Sequence, residues 1–476
     1  MRRARAGVKD LARIAGRIAD EALGKMDFSV RLSRADFRKR WTDVQAAMKE
    51  KGYDLGYACG SELDRSDAAW LAGVYDPIIE RYGVLVPAEG RPVVLAGSEG
   101  GHVMEEACEA SGADLAILRE FQISDEEYRH TRFEALRDVV RRLHVGRSAR
   151  LAIFSSEEFL PHGHYEMLRR AVGEKRMTFD ARLLQRIKYV KSVQELRIIA
   201  EANKVADAAF RAMLAAMVPG VRESQIAGVG DFVMKALGAH RTGVPTIVTS
   251  GERNYTVIGP ATDKVIADGD AVSLGLSPTW HGYHGIVRRT VRAERGFSAG
   301  QRAFVEAVEG LYHTVWKATE RAAREDLAAD TIDAAGKRYL AETRLKDVHG
   351  RRAALREPYS YIHNTGCSEC QEGFGAVTGQ STEPLGERVA LMIDCALVGF
   401  EKRGRPRFPL LYAVVEDAFW KNGSEVGVYN RTPINAQHLV GNERDMDETG
   451  IHPYHAQLEP GGTAGGGRRG KSRVAR

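Results

Sequence analysis

The chain has 476 residues, 43% hydrophobic, 28% charged and 8% aromatic, enough for two or three domains with cores of their own. Its 49 Gly follow no period and its 5 Cys are few, which excludes collagen-like and disulfide-scaffold classes; its most apolar stretch, residues 389–400, is short and interrupted by Asp394, which excludes a membrane span there. The formal charge of +5 belongs to the ends: residues 1–26 carry seven Lys/Arg against three acids, residues 461–476 five against none, and residues 27–460 are left at −4. The charge therefore gives no argument for nucleic acid as a partner.

In chain order, residues 1–26 form a basic extension whose apolar Leu11, Ile14 and Ile18 share a helical stripe rather than a continuous run, so it is not a secretory signal. The odd, scattered Cys59, Cys108, Cys367, Cys370 and Cys395 favour a reducing, cytoplasmic setting. From 27 to 185 the pattern alternates: helix 34–51, strands 53–59, 83–87, 93–96 and 115–118, helix 127–143, strand 150–154, helix 165–172, strand 176–179. Such alternation predicts a small α/β domain on a mainly parallel sheet. His162-Gly163-His164 is expected on its surface.

A second region spans 186–447. Ser192-Val193-Gln194-Glu195 is a capping box opening a long helix, and 224–237 predicts another. Strands follow at 245–249, 271–276 and 285–293; a second capping box at 298–301 opens a helix to about 323, then comes helix 328–342 and a strand-rich stretch to 430. Two helices, strands, two helices, strands predicts an α+β domain with helices on an antiparallel sheet. Residues 448–476 form a Gly/Arg-rich tail. Its string 465–472 satisfies the P-loop pattern, but no strand precedes it and no helix follows, so the match is fortuitous.

Six short strings stand in order in the second region: Thr249-Ser250-Gly251, Gly269-Asp270, Gly282-Tyr283, Arg289-Thr290, Pro384-Leu385-Gly386-Glu387 and Val415-Glu416-Asp417. In this order and spacing the region resembles the creatinase / prolidase / methionine aminopeptidase superfamily, whose catalytic domain has the pita-bread fold. Trp70-Leu71-Ala72-Gly73 stands where the creatinase-type N-terminal domain has a similar string. The resemblance implies a homodimer whose N-terminal domain helps cover the partner's pocket.

The peptidase branch holds two metal ions with Asp, Asp, His, Glu and Glu. Aligned on the strings above, these positions fall on Gly275, Ile286, His363, Asp394 and Glu416. Two ligands are missing, so a two-metal aminopeptidase is not expected. Further catalytic His positions fall near Ile258 and on Cys370. Creatinase also lacks the two Asp and works without metal, but it relies on a His near 258 and a Glu at 288, where this chain has Ile258 and Arg288.

The resemblance therefore implies a hydrolase of a C–N bond in a small polar, anionic substrate, with no metal or one. Its acid/base groups would be His363, Glu416, Asp394 and Cys370, and its anchors Arg253, Arg288, Arg289 and Tyr283. Arginine is chosen because its planar fork fits a carboxylate. His284 is expected two residues before Ile286 on the same strand, so period two puts it on the same side, and His284, His363, Asp394 and Glu416 could hold one Fe, Mn, Zn or Co. Two alternatives stand: a non-catalytic binding module of the same fold, and a lyase with a single metal. For the acids, a relic cluster bonded to one another and to Arg289 is the competing reading, and for the arginines it is pairing with Asp394, Glu416 or Glu372. For Cys367-Ser368-Glu369-Cys370, it is a buried inert thiol.

Overall fold

The computed structural model describes residues 7–443 except Arg147 and Arg295. The expected tail at 448–476, with its string 465–472, lies outside the described residues, as do residues 1–6.

The apolar stripe of the extension forms helix Val8–Leu23, which buries Leu11, Ile14, Ala15, Ile18, Ala19 and Ala22. That spacing gives one apolar face, and the face packs on helices Val193–Ala216 and Glu223–Ala236 of the second region. Arg13 fixes its outer side to Glu443 at 2.7 Å.

Helix Arg34–Lys51 starts on a capping box between Ser33 and Asp36 and stops at Gly52, whose φ of +69° suits glycine. The first sheet follows in the order Asp114–Ile117, Val93–Ala96, Tyr82–Pro87, Leu55–Gly60, Leu151–Ile153, Met177–Phe179. Three pairings are parallel and the two flanking Tyr82–Pro87 are antiparallel, so the sheet is mixed. The helix expected over 127–143 shortens to Leu136–Arg142. Its first half is captured by the sheet edge, where Glu134 N donates to Ile117 O at 2.8 Å and pairs beside Leu118. His164 departs from the surface expectation: it is buried, 2.9 Å from Tyr57 Oη, and burial holds its imidazole down at about 4.

Both predicted capping boxes in the second region form, at Ser192/Glu195 and Ser298/Gln301, opening helices Val193–Ala216 and Ala299–Glu325. An antiparallel sheet runs Ile362–Asn364, Arg388–Val398, Tyr412–Asn422, Val287–Arg292, Ala271–Leu276, Ile247–Ser250, with Glu425–Val428 beside Tyr412–Asn422. Leu391, Ile393 and Leu397 belong to the core under helix Ala299–Glu325. Ala390 and Met392 belong to the core around helix Val193–Ala216. Asp394 has the parity of Met392, and the site grows from that side.

Buried charge joins the two regions. Lys188 Nζ lies 2.7 Å from Asp67 and 3.0 Å from Glu372, and Arg40 lies 2.8 Å from Glu195. No helix among the described residues is long and apolar enough to cross a membrane.

Candidate active site

The sheet register sets one row across four adjacent strands. Asp394 stands opposite Glu416, Glu416 opposite Arg288, and Arg288 opposite Gly275. Residues directly opposite in a sheet share a face, so these four side-chain positions converge. His363 joins from the edge strand, where it pairs with Met392, two residues from Asp394.

Arg288 is buried at the centre of the row. Its Nη1 donates to Asp394 Oδ2 at 3.3 Å, Glu416 Oε2 at 3.2 Å and Tyr359 Oη at 3.2 Å. Its Nη2 donates to Tyr412 Oη at 2.9 Å and Val257 O at 3.1 Å. Tyr359 Oη in turn donates to Asp394 Oδ1 at 3.0 Å. On the other side of Glu416, His363 Nε2 lies 3.5 Å from Oε1, a buried oxygen with no hydrogen-bond partner. His363 remains 21% exposed in its side chain and is the opening of this cluster.

Electrostatics separate the acids. Burial alone would lower the His363 imidazolium, but adjacent Glu416, with the charges of Glu369 and Asp394, raises it to about 9. Burial raises Asp394, and facing Glu416 raises it further against the pull of Arg288. Glu416 is held below its ordinary value despite burial, by His363 and Arg288. Burial raises Glu369 as well.

The superfamily's two-metal centre does not fit these residues. Gly275 supplies no ligand, Ile286 is apolar and 1% exposed, and the guanidinium lies against both remaining carboxylates. Ligand atoms of His363, Glu369 and Glu416 do lie within 4.8 Å of one another, close enough for one cation. That group differs from the expected His284, His363, Asp394 and Glu416.

His284 stands outside because Tyr283–His284 is not part of strand Val287–Arg292; it pairs with Thr279–Trp280 in a separate hairpin, so the period-two argument does not carry across. Its Nδ1 faces Gly366 O at 3.1 Å. Burial, with Arg65 next in weight, holds it down at about 3.

Three expected anchors are engaged elsewhere. Arg289 points to the opposite side of the sheet, bonded to Asp417 and to the carbonyls of Arg288, Glu416, Thr432 and Pro433. Arg253 pairs with buried Glu223 and donates to Pro260 O. Tyr283 is buried between the regions, donating to Glu195 and accepting from Arg40. Cys370 is exposed, and its thiol is pushed up by desolvation and by neighbouring Glu369, Glu416 and Asp394, opposite to what a nucleophile needs. Glu369, Tyr359 and Tyr412 were not singled out from the sequence. Glu369 lies inside the C-x-x-C string, where the cysteines draw the attention.

Residues 197–404 match the model of metallopeptidase family M24. The uncharacterized peptidase YqhT of Bacillus subtilis is 33% identical over 132 residues, 28% of this chain and 37% of that relative. A Xaa-Pro dipeptidase of Pyrococcus horikoshii is 28% identical over 189 residues, 39% of this chain and 52% of the relative. The chain thus spans about a third to a half of the length of these curated relatives. Over a longer span, the crystal structure of the prolidase from Pyrococcus horikoshii OT3 superposes with a TM-score of 0.63 at 19% identity, covering 84% of this chain and 99% of that one. Dipeptidase PepE from Mycobacterium ulcerans gives 0.62 at 20% identity, covering 86% and 99%. Those likenesses show the fold, and together with the segment matched to family M24, a little under half of the chain, they support a place in the creatinase / prolidase / methionine aminopeptidase superfamily.

Proposed function

We propose that this chain is a hydrolase that cleaves a C–N bond of a small polar substrate without a two-metal centre, using His363 as its proton donor. One observation carries the reading: His363 is the open member of an otherwise buried charge cluster, beside a Glu416 oxygen that lacks a hydrogen-bond partner. Breaking a C–N bond requires a proton on the departing nitrogen and a water held against the carbon. His363, raised to about 9, carries that proton at neutral pH. Glu416 Oε1 accepts an N–H of the substrate, and Glu369, raised by burial, takes a proton from the water.

The homodimer and the cytoplasmic setting belong to the same proposal, by resemblance alone.

A binding module without turnover is the second reading. It is favoured by Ile258, 62% exposed at a place where the superfamily has a catalytic His, and by the inert Cys370. Small amides and amidines assayed with wild type and His363→Gln separate the two. The hydrolase reading expects a loss of roughly 10²–10⁴-fold in kcat with an unchanged thermal midpoint. A variant that turns over the same substrate at the wild-type rate would remove His363 from the chemistry.

A further inference from the structure

We propose that Arg288 is a resident cation that replaces the metal pair, and that Gly275 is the space its side chain requires. The missing ligand at 275 and the arginine at 288 are then one exchange rather than two separate changes. The inference stands whether or not the chain turns over a substrate.

Three observations converge on it. Asp394 and Glu416 face each other across adjacent strands and are both buried. Such a pair needs either a shared proton or a cation between its members, and here Arg288 Nη1 lies 3.3 and 3.2 Å from their oxygens. Second, a Cβ on residue 275 would fall closer to Arg288 Cγ than two carbons can approach, and 3.0 Å from its Cδ. Aspartate at 275 and arginine at 288 therefore exclude each other, although the φ of Gly275 is unremarkable and no turn requires glycine there.

Third, acceptors from separate segments surround the guanidinium. Val257 adopts φ +63°, a region β-branched residues rarely enter. Its carbonyl accepts from Arg288 Nη2 at 3.1 Å. Tyr412 Oη accepts from the same nitrogen, and Tyr359 Oη accepts from Nη1. Oxygens on three separate segments are thus aimed at the planar fork.

The chemical consequence is definite. A guanidinium supplies the positive charge that offsets the repulsion between Asp394 and Glu416, cannot be removed by a chelator, and donates only hydrogen bonds. It does not act as a Lewis acid and does not acidify a bound water as a divalent metal does.

The test is metal binding by the full chain, with Mn²⁺ as the probe. Metal content of the wild type after gentle purification is expected to be substoichiometric, and neither Mn²⁺ nor a chelator should move its thermal midpoint. Arg288→Thr leaves two carboxylates without their cation, so added Mn²⁺ should now raise the midpoint. The triple variant Gly275→Asp/Ile286→Asp/Arg288→Thr should bind Mn²⁺ at least about tenfold more tightly than wild type by calorimetry, a shift of roughly 1.4 kcal/mol. The double variant Gly275→Asp/Ile286→Asp, which keeps Arg288, should not. A wild-type chain that holds one metal and loses stability with a chelator would overturn the inference, even if every variant failed to fold. So would a triple variant that folds and gains no affinity.

Discussion

Arg288 and Arg289 are neighbours in one strand and lie on opposite sides of the same sheet, and their surroundings differ in kind. Arg289 is fully buried and bonded to one carboxylate and four carbonyls, and its partner Asp417 also accepts from Tyr312 at 2.7 Å. Nothing there is left to bind a ligand. Around Arg288 the polar groups are not all satisfied: its own Nε and Glu416 Oε1 are buried without hydrogen-bond partners, and His363, 3.5 Å from that oxygen, opens toward solvent. A buried polar network that satisfies every member serves the fold, whereas one that leaves an acceptor at an opening has a place for something else.

The sharpest way to break this contrast is to delete each arginine's charge and compare stability with function. Arg289→Ala strands Asp417, which burial already raises to about 6 against the pull of Arg289. Removing one partner of a buried pair costs about 3–5 kcal/mol, so urea unfolding should show a loss of that order. A loss below about 1 kcal/mol would mean that the far side of the sheet is not the structural one.

A third network, at the junction of the two regions, gives the pH dependence. Burial would raise Glu372, but Lys188 and Lys191, with bonds from Lys188 and Ser368 N, bring it down to about 2. Its folded pKa is thus below its unfolded one near 4.5. The stabilisation is complete above pH 4.5 and lost as pH falls toward 2. Unfolding free energy measured over that window should fall in wild type, and the slope should be shallower in Glu372→Gln. Equal slopes would place the acid sensitivity elsewhere, for instance in the Asp394 and Glu416 pair.

Much of the site's scaffold could be read from the chain because it depends on local rules. Ser192 with Glu195 and Ser298 with Gln301 open helices by satisfying their own first amides, which needs no tertiary knowledge. The opposite sides taken by Arg288 and Arg289 also follow from period two, once the strand is known to run Val287–Arg292. His284 was misplaced because the same period was carried through Gly285 and Ile286, where the chain leaves one pairing for another. The pairing of Arg288 with both acids depends on register across three strands, which spacing along one chain does not reveal. Gly275 was legible only as an absent ligand. That it is the space for an arginine is a tertiary fact.

Gly275→Ala tests that fact at smaller amplitude. The added methyl must displace the Arg288 stem, and overpacking of this kind costs about 1–3 kcal/mol. The cost should largely vanish when Arg288 is already Ala, since two contacting residues couple in a double-mutant cycle. Additive costs would show that the stem moves aside freely, and the mutual exclusion of 275 and 288 would fail with it.

The smallest effect is expected at Cys370, and it separates the two sides of the site itself. Its thiol lies next to Glu369 and within the field of Glu416 and Asp394, all of which oppose a thiolate, while the imidazolium of His363 is engaged by the same acids. The position is exposed, so a change there loses little packing. Cys370→Ser should leave stability within about 0.5 kcal/mol and turnover near that of wild type. Labelling with a thiol-directed alkylator at neutral pH should be slow for an accessible cysteine. Fast labelling, with loss of turnover in the serine variant, would move the reactive group from His363 to the sulfur.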